Sequence, residues 1–225
     1  MKTMVLASPE LEQEYSLKFP NRAYLYLQDP AELGLWLNQV EVVFDLLLHE
    51  QPERLAQYAK AEKGEDLVIF CNAPKLQLAS LAKEHGPFPF HLCGVNALPS
   101  LFNREVLEVS VLKPESEKEV ARVMEVLGTG YELVADRVGM VTPRVLCMII
   151  NEACYTLQEG TATKEDIDLG MKLGTNYPFG PFEWANKIGV ANVYDLLEAV
   201  YADTKDERYK ICPLLKTAYL KGEEL

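Results

Sequence analysis

From Thr163 to Gly189 the chain carries two helix starts and two helix stops around a proline- and glycine-punctuated elbow, which leaves little choice of local structure. Thr163 followed by Asp166 reads as a helix start of the capping-box kind, with aspartate in place of the usual longer glutamate. Met171 comes one turn after Ile167, and Gly174 stops that helix. The elbow Asn176-Tyr177-Pro178-Phe179-Gly180 then delivers Pro181 to the first turn of the next helix, where its missing N–H costs nothing, and Gly189 ends it. Helical periodicity surrounds this stretch. Residues 141–159 offer Val141, Val145, Met148, Ile149, Ala153 and Leu157 for one apolar face before Gly160, and further helices are expected over 193–201 and 213–220. Residues 136–225 therefore read as an all-α helical domain.

Upstream the period is different. The apolar run at residues 4–7 predicts a buried strand, and Ser8-Pro9 starts a helix with Glu10 and Glu12 in its first turn. Strands follow at 23–28, 40–48 and 66–71, with a helix over 52–63; the last of these strands, Asp-Leu-Val-Ile-Phe-Cys, is apolar throughout, as in parallel sheets. A helix over 76–85, strands at 89–96 and 106–112, a helix over 116–127 and a last strand at 131–135 complete the series. Alternation of this kind specifies an α/β doubly wound sheet over residues 1–135.

Bulk properties exclude several roles. The net charge of −12 is unsuited to neutralising phosphates, which argues against a nucleic-acid partner. The five cysteines (Cys71, Cys93, Cys147, Cys154, Cys212) lie in apolar surroundings without metal-ligand spacing, so no metal site is expected and a reducing, cytoplasmic setting fits. No apolar run approaches a membrane span, and the first residues are too short a run for a signal peptide.

Specific stretches of the helical half, Asn151-Glu152-Ala153, Glu165-Asp166-Ile167-Asp168, Met171-Lys172-Leu173-Gly174-Thr175-Asn176, Pro178-Phe179-Gly180-Pro181, Ile188-Gly189 and Cys212-Pro213-Leu214-Leu215, resemble in order the C-terminal domain of 3-hydroxyacyl-CoA dehydrogenases. The upstream half is similar to the same family at Asn72-Ala73-Pro74-Lys75-Leu76, at Cys93-Gly94-Val95-Asn96-Ala97-Leu98-Pro99, at Leu107-Glu108-Val109 and at residues 136–144. The resemblance implies a reduced Rossmann-like domain followed by a helical dimerisation domain. It also implies hydride transfer between the 3-hydroxyl carbon of an acyl-CoA and NAD, with a His–Glu pair handling the hydroxyl proton.

Carried over residue by residue, the resemblance places Glu108 at the family's glutamate, Cys93 at its histidine, Pro74 or Lys75 at its serine and Pro143 at its asparagine. Asn72 and Asn96 are the substrate-binding amides it implies. His91 lies two residues before Cys93, on the same strand face and roughly 6–7 Å away, so a bulge would be needed for it to replace the lost histidine. Cys93 itself could serve as a nucleophile if activated, but no basic partner is near in sequence. His49 and His85 are expected at the surface. On the cofactor side, Ser8 and Asp29 are the candidate contacts, yet the first turn, Ala7-Ser8-Pro9-Glu10-Leu11-Glu12, lacks glycine and carries two carboxylates where phosphates would sit.

These features predict a family member with lost or impaired NAD binding and catalysis that keeps homodimerisation through the helical domain and an acyl-CoA ligand between its domains. An active 3-hydroxybutyryl-CoA dehydrogenase using His91 and Glu108, and a scaffold or regulatory subunit of an acyl-CoA enzyme, are the alternatives. Phe179, Phe182 and Trp184 are expected to be core anchors.

Overall fold

The computed structural model describes residues 1–225 as two compact units, Met1–Met140 and Val141–Leu225. The division falls beyond the expected 135/136 boundary for a local reason. The Asp136 carboxylate accepts from the Leu78 and Ala79 amides at 2.7 and 2.9 Å, and Met140 is buried in the first unit's core, so this stretch belongs to the sheet side.

The first unit is built on β1 (Thr3–Leu6), β2 (Leu25–Leu27), β3 (Val42–Asp45), β4 (Val68–Asn72), β5 (His91–Val95), β6 (Val106–Val111) and β7 (Gly130–Leu133). These form one seven-stranded sheet in the order β2-β1-β3-β4-β5-β6-β7, parallel except where β5 meets β6. Its central strands are apolar on both faces because both are covered. One face packs α1 (Pro9–Lys18) and α5 (Ser116–Leu127) through Leu11, Tyr15, Val120, Val123 and Met124. The other packs α3 (Leu55–Tyr58) and α4 (Leu78–His85) through Leu55, Tyr58, Leu78 and Leu81. The doubly wound α/β expectation is met.

Two segments differ from the sequence-based expectation. The strand expected over 40–48 is confined to Val42–Asp45, because Asp45 turns the chain by accepting from the Leu47 amide at 3.2 Å. The helix expected over 52–63 splits into a 3-10 turn at Pro52–Arg54 and the short α3, since the Arg54 side chain is drawn inward to Asp45. Residues 30–39 hold α2 (Leu33–Trp36) between two 3-10 turns, with Leu33 and Leu37 in the core.

The second unit consists of α6 (Thr142–Gln158), α7 (Lys164–Thr175), α8 (Pro181–Ile188), α9 (Val190–Thr204) and α10 (Pro213–Lys221). Thr163 caps α7 by accepting from the Asp166 amide at 3.2 Å, and Pro181 opens α8. Of the residues expected on the buried face of α6, only Ala153 is buried. Helices α8, α9 and α10 pack on α6, whose buried residues include Leu146, Cys147, Ile150, Ala153 and Cys154, whereas Val141 and Val145 stay more than half exposed. Helix α6 has two apolar stripes, and packing chose between them. Among the elbow aromatics, Phe182 is fully buried, while Phe179 and Trp184 form a half-buried edge-to-face pair at 5.0 Å.

Candidate functional site

Ligands of open α/β sheets sit beyond the carboxyl ends of the strands, where the strand order reverses. Here that point lies between β1 and β3, since the chain runs from β1 out to β2 and then back to β3 on the other side. The turn after β1 is closed by its own side chains. Ser8 caps α1 and accepts from the Leu11 amide at 3.3 Å, Pro9 has no amide proton, and the Tyr26 hydroxyl donates to the Ala7 carbonyl at 3.2 Å. Glu10 and Glu12 occupy the first turn of α1, where the Tyr24 hydroxyl donates to Glu12. Asp29, beyond β2, caps the 3-10 turn at Pro30–Glu32 by accepting from the Ala31 amide at 2.9 Å. A pyrophosphate needs free amides and a close approach to backbone. These residues do not fit one: the Glu10 and Glu12 carboxylates repel it, Pro9 offers no amide proton, and the Leu11 amide is taken by Ser8.

Across the switch point, β3 ends in a carboxylate that the sequence reading missed. Asp45 is fully buried and takes a two-pronged ion pair from Arg54 at 2.9 and 2.7 Å, plus the Tyr58 hydroxyl at 2.8 Å. The Asp45 pair holds Arg54 in its charged form against the cost of burial, and burial pushes the Tyr58 hydroxyl far up. The only sequence signal was an aspartate closing an otherwise apolar run, Val42-Val43-Phe44-Asp45.

The next strands bring Asn72, Asn96 and Glu108 to the same edge. Asn72 is buried and accepts from the Ala97 amide at 3.1 Å, while Asn96 accepts from Leu98 at 3.4 Å and donates its own amide to the Glu108 carbonyl at 3.2 Å. Gly94 is required between them, since a Cβ there would lie 2.5 Å from both the Ala73 Cβ and the Ser110 Oγ.

Neither acid–base partner for Glu108 is brought to it. The register Gly94↔Ser110 and Val95↔Val109 sets Glu108 opposite Asn96, out of phase with Cys93, so these two side chains point to opposite sheet faces. Cys93 lies fully buried against α1 and α5, and burial pushes its thiol well above the ordinary range, which leaves no nucleophile. His91 begins β5 and pairs with Val68, at the opposite end of the strand from Asn96, roughly 16 Å along it at 3.3 Å per residue. Its Nδ1 is 2.9 Å from the Ser116 hydroxyl at the start of α5. The expected His91–Glu108 pair is thus not formed, because a strand without a bulge cannot carry its first residue to its last. His85 is exposed, as expected, but His49 is not a surface residue: its side chain is only 18% exposed.

In the helical unit, the residues that carry the resemblance are engaged in architecture. Asn151 donates to the Lys210 carbonyl at 2.9 Å and accepts from the Cys212 amide at 2.8 Å, which straps the segment before α10 to α6. Asp168 accepts from the Phe182 and Glu183 amides at 2.9 and 3.2 Å, capping α8 from α7. Pro143 sits buried in the first turn of α6, a position that tolerates proline.

Comparison with known proteins agrees with this geometry. Residues 139–224 match the family model of the 3-hydroxyacyl-CoA dehydrogenase C-terminal domain. The 3-hydroxyadipyl-CoA dehydrogenase of Escherichia coli is 45% identical over 83 residues, 37% of this chain and 18% of that protein. A Bacillus subtilis protein named probable 3-hydroxybutyryl-CoA dehydrogenase is 36% identical over 128 residues, 57% of this chain and 44% of that protein. The matched stretches thus span less than half the length of either relative. In fold, the crystal structure of (S)-3-hydroxybutyryl-CoA dehydrogenase from Ralstonia eutropha superposes with a TM-score of 0.78 at 19% identity, covering 98% of this chain and 94% of that one. In sequence the helical unit therefore matches the C-terminal domain of 3-hydroxyacyl-CoA dehydrogenases, and in fold the chain, a Rossmann-like sheet unit followed by a helical unit, is like the Ralstonia eutropha structure.

Proposed function

We propose that this chain is a 3-hydroxyacyl-CoA dehydrogenase relative in which NAD binding and the family's acid–base pair are lost or impaired, while binding of an acyl-CoA-type ligand persists. The observation that carries this reading is the β1–α1 turn. Ser8 and Pro9 leave no open amide cradle, and Glu10 and Glu12 put negative charge where a pyrophosphate would lie. The separation of Cys93, His91 and Glu108 supports it from the other end of the site.

Calorimetric titration of the full chain with NAD, and separately with 3-hydroxybutyryl-CoA, tests the reading. Binding of the CoA ester without NAD is the expected result. Binding of NAD, with turnover of order 1 s⁻¹ or more as is ordinary for enzymes, would overturn it.

An active NAD-dependent 3-hydroxybutyryl-CoA dehydrogenase is the second reading, favoured by the likeness to relatives that carry that name. It requires an acid–base group other than His91, which bonds to Ser116.

Self-association is proposed for the helical unit. Leu169 and Leu173, one turn apart on α7, are 52% and 78% exposed, and Val141 and Val145 at the start of α6 add apolar surface. A concentration-independent monomer in sedimentation equilibrium would exclude it.

A further inference from the structure

The sheet ends on β2, which pairs only with β1, so the outer backbone edge of Leu25–Leu27 has no strand beside it. Such an edge is a template for another chain, and folded proteins guard it with charge, proline or a covering segment. Here the run Ala23-Tyr24-Leu25-Tyr26-Leu27-Gln28 carries neither charge nor proline. Tyr24 and Tyr26 lie on the α1 face of the sheet, Leu25 and Leu27 on the opposite face. The edge is also uncovered. A recess of about 370 Å³, with Ala23, Tyr24, Leu25, Trp36 and Val40 in its walls, opens beside the amino end of β2, and Ala23 and Gln28 are exposed.

Charge is confined to the flanks. Arg22 precedes the run and Asp29 follows it; both are exposed, and Asp29 uses its Oδ1 on the Ala31 amide. Opposite charges at the two ends of one strand select how a second copy can lie against it. A parallel copy sets Arg22 on Arg22 and Asp29 on Asp29, whereas an antiparallel copy brings each Arg22 to the other's Asp29. Faces must match as well, because residues directly opposite each other in an antiparallel pair share a face. With tyrosines on one face and leucines on the other, either Leu25 or Tyr26 then meets its own copy. In both registers Arg22 is one residue, about 3.3 Å, from lying directly opposite Asp29 of the second copy, a gap its long side chain spans.

We propose that β2 is a self-association edge, on which a second copy of this chain adds its own β2 antiparallel and continues the sheet across a twofold axis. Two Arg22–Asp29 ion pairs close the ends of the contact. It is isologous, needs no ligand, and is separate from the association proposed for α7.

The test uses the full chain carrying Leu169→Gln and Leu173→Gln, which takes the apolar surface of α7 out of the comparison. Sedimentation velocity of this parent is expected to show a concentration-dependent dimer that weakens as salt rises. Arg22→Glu and Asp29→Arg, each added singly and checked for unchanged circular dichroism, should weaken the dimer about tenfold, since two attractive pairs become repulsive. An equimolar mixture of the two variants should return to within about threefold of the parent, because each then offers the other its complement. A monomer at every concentration overturns the proposal, whether the edge is idle or serves a strand of another protein, and leaves the α7 contact untouched. Dimers indifferent to both substitutions, or a mixture that fails to recover, overturn it too. If Asp29→Arg does not fold, backbone hydrogen exchange of the parent decides. Protection at residues 24–28 is expected to rise with protein concentration, and constant protection overturns the pairing.

Discussion

The Asp168 carboxylate and the Gly180 backbone are in such close contact that a Cβ on Gly180 would lie 2.3 Å from the Asp168 Cγ. That approach lets one aspartate on α7 cap the first amides of α8, with Glu183 closing back on the Gly180 amide at 2.8 Å and pairing with Lys172 at 2.8 Å. Gly180→Ala should therefore destabilise the helical unit by about 1–3 kcal/mol, the usual cost of overpacking. Asp168→Ala should cost a similar amount, about 1–3 kcal/mol, by orphaning buried amides. Urea unfolding followed by helical circular dichroism measures both, and an unchanged midpoint for either would contradict the capping role.

The Asp45–Arg54 pair is buried on both sides, with side-chain exposures of 0% and 3%. Arg54→Met should cost about 3–5 kcal/mol, because it leaves a buried carboxylate with only Tyr58 for company. The double variant Asp45→Leu/Arg54→Met is expected to recover part of that loss. Equal stability of the single and double variants would show that the charges are not coupled.

His91→Ala is expected to leave ligand affinity and any turnover unchanged, since the ring bonds to Ser116 at the amino end of β5. Loss of activity in a variant with an unaltered melting temperature would restore the His91 reading.

None of the five cysteines is in a disulfide, and all are buried. Burial pushes the Cys154 thiol up to about 12 and raises those of Cys71 and Cys93 well above their ordinary value. Reaction with a thiol reagent at neutral pH should be slow in the native state and complete after denaturation. Rapid modification of Cys93 in the native protein would show it accessible after all.

His49 makes a definite contribution to pH dependence. Its pKa is lowered in the folded chain by burial and by Lys75, from an ordinary value of 6.5. Just below that value the unfolded chain binds more protons, so stability is full above it and falls as pH drops towards the folded pKa. Glu14, whose pKa burial raises from 4.5, acts with the opposite sign and lower on the scale. Thermal unfolding of the parent and His49→Gln at pH 7.5 and 5.5 separates them. The parent should lose more stability over this interval, and parallel losses would refute the buried neutral ring.

Sequence alone determined what depends on local rules. The Thr163 cap, Pro181 in a first turn, the Gly189 stop and the α/β alternation all act within a few residues, so periodicity and capping chemistry reveal them. The likeness of the helical unit to the 3-hydroxyacyl-CoA dehydrogenase C-terminal domain was legible too, through residues such as Asn151, Asp168 and Gly180, although only the structure shows that these tie helices together. What tertiary structure decided was each matter of facing. Helix α6 had two apolar stripes, and its neighbours selected the one through Cys147 and Cys154. His91, Cys93 and Glu108 are close in sequence, but strand register sends them to different ends or faces of the sheet. Asp45, Arg54 and Tyr58 lie on separate elements, and only the packing of α3 beside the end of β3 joins them in one buried cluster. Register is a non-local property: a strand's residues do not carry the identity of the residues they will lie beside, so the site had to wait for the fold.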